Sequence, residues 1–138
     1  MTAKPNKTIA YIRVSSQRQV DEGNSLASQK RIISNLASFK GLNLKPEDFL
    51  IEKGVSAGIP LWERPKGRVL KRKLLSGEYN NLIVMKLDRL FRITSDMLLS
   101  LDEIEDMGVR LLVADLGGEA IDTSTSTGKF MMIKHTNG

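Results

Sequence analysis

Tyr11-Ile12-Arg13-Val14-Ser15-Ser16 closes an apolar run, TIAYIRV (8–14), and passes into the polar stretch SSQRQ. β-Branched and aromatic residues dominate the run, as in a short buried strand. Successive strand side chains point to opposite faces, so Tyr11, Arg13 and Ser15 share one face and Ala10, Ile12 and Val14 the other. A guanidinium two residues ahead of a hydroxyl, at the end of a strand, has the chemistry to act on a phosphate. An edge strand with ordinary exposed polar residues would show the same letters, and the hexapeptide alone leaves both readings open.

Outward from this strand the chain alternates. Residues 15–24 read as a polar loop. Ser25 is placed to cap a helix that carries Leu26, Ile33, Leu36 and Ala37 on one face and stops at Gly41. A short strand follows near 48–52, then an irregular loop over 53–63 that holds Gly54, Gly58 and Pro60. Arg64-Pro65 opens a second helix, with Val69, Leu70, Leu74 and Leu75 as its apolar stripe and Gly77 at its end. Residues 82–85 (LIVM) form an unbroken apolar run, as in a strand buried on both faces. The pattern predicts a helix over 94–107 with Met97, Leu98, Leu101 and Ile104 inward and Asp102, Glu105 and Asp106 outward. A fourth strand is expected over 109–113, and another helix from about Gly128. Strand and helix in strict turn imply an α/β domain of three layers, a mostly parallel central sheet of about four to five strands flanked by helices.

A chain of 138 residues is most simply one domain, long enough for a hydrophobic core. No window is apolar enough for a membrane helix, and MTAKPNKT lacks the apolar segment of a secretory signal, so a cytoplasmic protein without membrane contact is expected. There is no cysteine and only one histidine, His135, which excludes disulfides, thiolate chemistry and the usual Cys/His zinc site. The net charge of +5 points to a polyanionic partner. The charges are segregated: Lys66, Arg68, Lys71, Arg72 and Lys73 form one block, and Asp102, Glu103, Glu105 and Asp106 another.

In an open α/β sheet the ligand sits beyond the carboxyl ends of the strands. Three connections arrive there: Ser15, Ser16, Arg18 and Gln19 after the first strand, Glu52, Lys53 and Ser56 with Arg64 after the second, and KLDRLFR (86–92) after the third. A phosphodiester repels nucleophiles by its charge, which arginine forks neutralise in the ground state and more strongly in the transition state. Ser15 needs a base or such a positive surround to act as a nucleophile. Arg13, Arg64, Arg89 and Arg92 can supply it, and Asp88 can hold one of them in register or take part in proton transfer. A solvated ion-pair cluster, Asp88 with Arg89 or Arg92, is the competing reading. Gly128-Lys129 lacks the spacing of a P-loop, and no GxGxxG is present.

YIRVSSQRQ (11–19), NSLASQ (24–29), GVSAG with ERP (54–65), KLDRLFR (86–92) and IDTSTSTGKF (121–130) together resemble the catalytic domain of the serine recombinases, the resolvase, invertase and large serine integrase group. The resemblance spans nearly the whole chain. It implies that Ser15 attacks a DNA phosphodiester to give a 5′-phosphoserine and a free 3′-hydroxyl, for strand cleavage and rejoining in site-specific recombination. It places Arg13, Arg64, Asp88, Arg89 and Arg92 in the active site, with Tyr11, Gln19, Glu52, Ser56 and Lys86 in support. It implies neither metal nor other cofactor. The expected partners are double-stranded DNA and copies of the same protein, a dimer that pairs into a synaptic tetramer. A catalytically silent DNA-binding or interaction fragment, or a different metal-free phosphodiester-cleaving enzyme, would carry the same residues.

Two departures from the family pattern stand out. Glu52 replaces the usual aspartate, and the loop from Ser56 to Arg64 is slightly longer than in the small resolvases. The helix that begins near 128, which in the family is long and forms the dimer interface, is expected to stop short within 1–138. The DNA-binding domain is expected to be missing, with dimerisation weak or absent for this length of chain.

Overall fold

The apolar run around Tyr11 becomes β1 (Lys7–Val14), the strand on which the sheet is built. The structure is a computed structural model that describes residues 7–14, 25–116 and 119–122, with the side chains of 115–122 excepted. Ser15, Gln19 and the helix expected near 128 lie outside the described residues. β1 pairs in parallel with β2 (Phe49–Lys53) on one side and β3 (Tyr79–Val84) on the other. β4 (Arg110–Leu116) adds in parallel to β3, and β5 (Glu119–Asp122) pairs antiparallel with β4, giving the order β2-β1-β3-β4-β5. A mostly parallel sheet of four to five strands allows for this fifth strand, but the sequence places none over 119–122, reading a Gly/Thr/Ser-rich loop there.

The two faces of β1 separate two cores. Ala10, Ile12 and Val14 pack with Ile33 and Ala37 of α1 (Leu26–Phe39) on one side of the sheet. Ile9 and Tyr11 pack with Leu70 and Leu74 of α2 (Pro65–Leu75) and with Met97, Leu101 and Ile104 of α4 (Thr94–Asp106) on the other. Helix, sheet and helices thus make the three layers expected. The run at 82–85 is buried on both faces as expected: Leu82 and Val84 join one core, Ile83 the other, and Met85 packs beside it.

Local chemistry sets the ends of these elements. Ser25 caps α1 by accepting from the Ser28 amide at 3.0 Å, and Gly41 follows the helix at φ +69, a conformation in which a Cβ is strained. Two stripe residues were misassigned. Leu75 is 62% exposed, because Gly67, Leu70 and Leu74 already fill the inward arc of α2. Leu98 is 37% exposed, and Ser100 takes the inward place on α4. A short helix, α3 (Leu87–Leu90), stands where the sequence suggested only a connection. β3 also begins at Tyr79, ahead of the apolar run: the Tyr79 hydroxyl donates to buried Asp48 at 2.7 Å, which accounts for two polar groups inside the fold.

This order brings the chain off β1 in one direction and onto β3 in the other. Neighbouring connections therefore diverge between the carboxyl ends of β1 and β3, the topological switch point where α/β sheets hold ligands. Arg13 lies at the end of β1, and α3 follows β3.

Candidate active site

Three segments meet at that switch point. The end of β1 supplies Arg13, the loop after β2 supplies residues 54–63, and the turn after β3 supplies 86–92. Hydrogen bonds join them. Arg13 Nε donates to the Arg89 carbonyl at 2.7 Å and Nη1 to the Val55 carbonyl at 2.9 Å. The Arg92 amide donates to the Ala57 carbonyl at 3.2 Å, closing loop on turn. Arg92 also lies against Gly58, where an added Cβ would meet Ser56 Oγ at 3.3 Å and Arg92 Nη1 at 3.6 Å. The convergence expected from the sequence is therefore present for Arg13, Ser56, Arg64, Arg89 and Arg92.

The electrostatics are one-sided. Burial lowers the Arg13 guanidinium below its usual value, and the neighbouring Arg64 lowers it further, with smaller effects from Arg92 and Arg89 and an opposing one from Tyr11. Among the described residues, no carboxylate lies within ion-pair distance of Arg13, Arg64, Arg89 or Arg92. Asp88, in the first turn of α3, is exposed and pairs with neither Arg89 nor Arg92, so the solvated ion-pair reading of LDR does not describe this turn. Guanidiniums held by carbonyls keep their full charge uncompensated, whereas guanidiniums held by carboxylates do not.

Behind this cluster lies a second network, centred on the buried Glu52 carboxylate. Glu52 stands opposite Arg13 in the β1–β2 register, yet its carboxylate turns inward and is 2% exposed. It accepts from the Tyr11 hydroxyl at 2.9 Å, from the Lys66 amide at 2.9 Å and from the Gly67 amide at 3.1 Å. Those amides belong to the first turn of α2, whose positive dipole end favours a carboxylate. Burial raises the Tyr11 phenol above the usual tyrosine range, with Arg64 pulling it down and Glu52 pushing it up to lesser extents. Lys86, half-buried, immediately precedes α3.

Sequence reasoning found the charged groups of the site and missed the carbonyls of Val55, Ala57, Ile59 and Leu90 that hold them. Backbone acceptors carry no residue-type signal. The structural role of Glu52 was equally invisible, since the backbone amides that donate to it lie 14 and 15 residues further along the chain.

The tyrosines give the site and its far edge a common pH signature. Burial and the hydrogen bond to Asp48 push the Tyr79 phenol up to about 12. A phenol that is harder to ionise folded than unfolded stabilises fully below the unfolded value, near pH 10, and that stability is lost as pH rises through the folded value. Urea unfolding of wild-type protein is therefore expected to show stability falling above about pH 10. In Tyr79→Phe the alkaline fall should be shallower.

A parallel α/β sheet of this order, with an unpaired arginine cluster at its switch point, defines a domain suited to a phosphate group. The chain matches the family model described as "Resolvase, N terminal domain" over residues 8–136, and it belongs to that family. It is 33% identical over 127 residues to the serine recombinases PinR and PinQ of Escherichia coli (strain K12), and 30% identical to the Transposon Tn2501 resolvase of Escherichia coli. Each alignment covers 92% of this chain and 58% of the relative, so the chain spans a little over half the length of these relatives.

Two solved structures share the fold. The N-terminal catalytic domain of TP901-1 integrase superposes with a TM-score of 0.73 at 24% identity, over 95% of this chain and 94% of that one. A resolvase family site-specific recombinase from Streptococcus pneumoniae gives 0.70 at 25% identity, over 95% and 85%. The family resemblance drawn from YIRVSSQRQ and KLDRLFR is borne out, as is the mostly parallel α/β fold. Among the described residues, no helix is long and apolar enough to cross a membrane.

Proposed function

We propose that this chain is the catalytic domain of a serine site-specific recombinase and that Ser15 forms a covalent bond to DNA. The observation that carries the reading is the cluster of Arg13, Arg64, Arg89 and Arg92 without a carboxylate partner among the described residues, at the edge where β1 leads into Ser15. Membership of the resolvase family supports it, as do relatives whose names are those of recombinases.

In the step proposed, Ser15 Oγ loses its proton and attacks a backbone phosphorus. The bond from phosphorus to the 3′ oxygen breaks, and that oxygen leaves as a 3′-hydroxyl after taking up a proton. The phosphate stays esterified to Ser15 and to the 5′ oxygen. Guanidiniums facing the non-bridging oxygens stabilise the charge that grows on them. The ester conserves the energy of the broken bond, so a 3′-hydroxyl can attack it and release the serine without an external energy source. Double-stranded DNA is the substrate. The assembly proposed is the family's dimer and synaptic tetramer, through the segment beginning near 128.

Expressed from its own reading frame and incubated with DNA of its source cell, the protein is expected to yield detergent-stable protein–DNA adducts. Their ends should carry free 3′-hydroxyls that a polymerase extends, and sequencing the trapped ends gives the crossover site. Ser15→Ala should abolish the adduct. DNA binding without cleavage would point instead to a silent DNA-binding domain, and cleavage without an adduct to a hydrolytic nuclease.

A further inference from the structure

We propose that Arg64 is a positioning residue rather than a phosphate ligand, a buried staple that fixes the loop after β2 against the turn carrying Arg89 and Arg92. The claim about phosphate rests on the recombinase reading. The claim about the staple does not.

Arg64 is 0% exposed, the bulkiest of the fully buried side chains among the described residues. Nε donates to the Ile59 carbonyl at 2.8 Å, and Nη2 donates to the Ala57 carbonyl at 3.3 Å and to the Leu90 carbonyl. One planar fork thus joins the loop at Ala57 and Ile59 to Leu90, which lies 26 residues beyond Arg64 in sequence. Beneath it the guanidinium carbon lies 5.9 Å from the centre of the Phe91 ring. Carbonyl oxygens converging on one buried point make a negative potential that a cation balances. A neutral side chain there would leave them desolvated and unpaired.

The position of Leu90 gives the staple its consequence. Its carbonyl lies between Arg89 and Arg92, and bonds flank it on either side: Arg89 O accepts from Arg13, and Arg92 N donates to Ala57 O, a carbonyl that Arg64 also reaches. The backbone from Arg89 to Arg92 is therefore fastened at consecutive points, and the one in the middle is Arg64. For Arg64 itself to reach a phosphate oxygen, the loop over 57–59 would have to open and release those carbonyls. Arg92 is exposed and Arg89 partly so, and neither needs such a movement. Among the described residues Arg64 Nη1 has no hydrogen-bond partner, and it is buried, so it presents no open face to a ligand.

Two measurements test this. The first uses the unaltered protein: phenylglyoxal labelling of arginines, read by mass spectrometry, with and without the crossover duplex. Arg89 and Arg92 are expected to react about tenfold or more faster than Arg64, whose labelling awaits local opening, and to be the ones that DNA protects. Rapid labelling of Arg64 that DNA blocks would overturn the proposal.

The second uses Arg64→Lys, which keeps the charge and loses the fork. Amide exchange of residues 57–59 and 90–92 without DNA should rise about tenfold while β1 and β3 stay protected. Adduct formation at saturating DNA should slow by roughly 100-fold, the scale of an ångström-level misplacement. The same loss should persist on a duplex whose scissile phosphate is a neutral methylphosphonate, whereas Arg89→Ala should recover about tenfold on that duplex because no charge remains to be met. If Arg64→Lys recovers on the methylphosphonate, or leaves exchange of the loop unchanged, Arg64 is not a staple. If unaltered protein forms no adduct at all, the recombinase reading falls, and labelling order and amide exchange still decide the staple.

Discussion

Gly67→Ala is expected to destabilise the protein by roughly 2 kcal/mol or more, although alanine is the better helix former by about 1 kcal/mol. Gly67 lies in the first turn of α2, and its bare Cα packs against the Leu61 carbonyl. A Cβ placed there would fall inside the van der Waals sphere of that oxygen and of its carbon, both backbone atoms that no side-chain rotation can move. Relief requires α2 to shift away from the turn at Leu61–Glu63. That turn cannot give freely: the Leu61 side chain is buried, and its carbonyl also receives the Arg64 amide at 3.2 Å. Overpacking of a rigid site costs about 1–3 kcal/mol, and a backbone-on-backbone clash belongs at the top of that range, so steric cost outweighs propensity. Urea unfolding followed by the fluorescence of Trp62, the sole tryptophan, reads the change beside the clash. A stabilised Gly67→Ala protein would mean that α2 and the turn are not in the contact described. Because Arg64 sits at the start of the same helix, the variant should also loosen the loop over 57–59.

Gly67 shows where sequence reading stops. The strands at β1 and β3 and the helices at α1 and α4 were legible because burial on one face or two leaves a period in the letters. Ser25 and Gly41 were legible because caps and positive φ select residue types locally. The start of β3 was not, since Tyr79, Asn80 and Asn81 are polar; Asn81 is buried and satisfied by Thr8 and Arg110, partners far away in the chain. Leu75 and Leu98 misled because periodicity ranks residues by type, whereas α2 and α4 give the inward places to Gly67 and Ser100. The arginines of the site were found from their chemistry and from the family motif. Their division into exposed and buried ones was not legible, because it depends on carbonyls that any sequence supplies.

The same limit applies to Glu52, and its substitution carries the other large effect. Glu52→Ala is expected to cost about 4 kcal/mol, because it strips the acceptor from three donors at once: the buried Tyr11 hydroxyl and Gly67 amide and the part-buried Lys66 amide. Glu52→Gln keeps an oxygen for the amides and loses the charge facing the helix dipole, so about 1–2 kcal/mol is expected. Tyr11→Phe removes one donor and leaves the carboxylate on the helix, for about 1 kcal/mol. Since Tyr11 and Glu52 share a bond, the double variant should be less damaged than the sum of the singles by about 1 kcal/mol. The family's usual aspartate would bring a carboxylate one methylene shorter to a helix end that Glu52 now reaches, so Glu52→Asp should fall between Gln and Ala in cost. Urea unfolding midpoints of the variants order these effects. A Glu52→Ala protein within about 1 kcal/mol of wild type would show that the carboxylate does not hold α2. If the expected order is found, the carboxylate acts on the arginine cluster at one remove: it anchors the helix whose first residue follows Arg64, and through Arg64 the turn that presents Arg89 and Arg92.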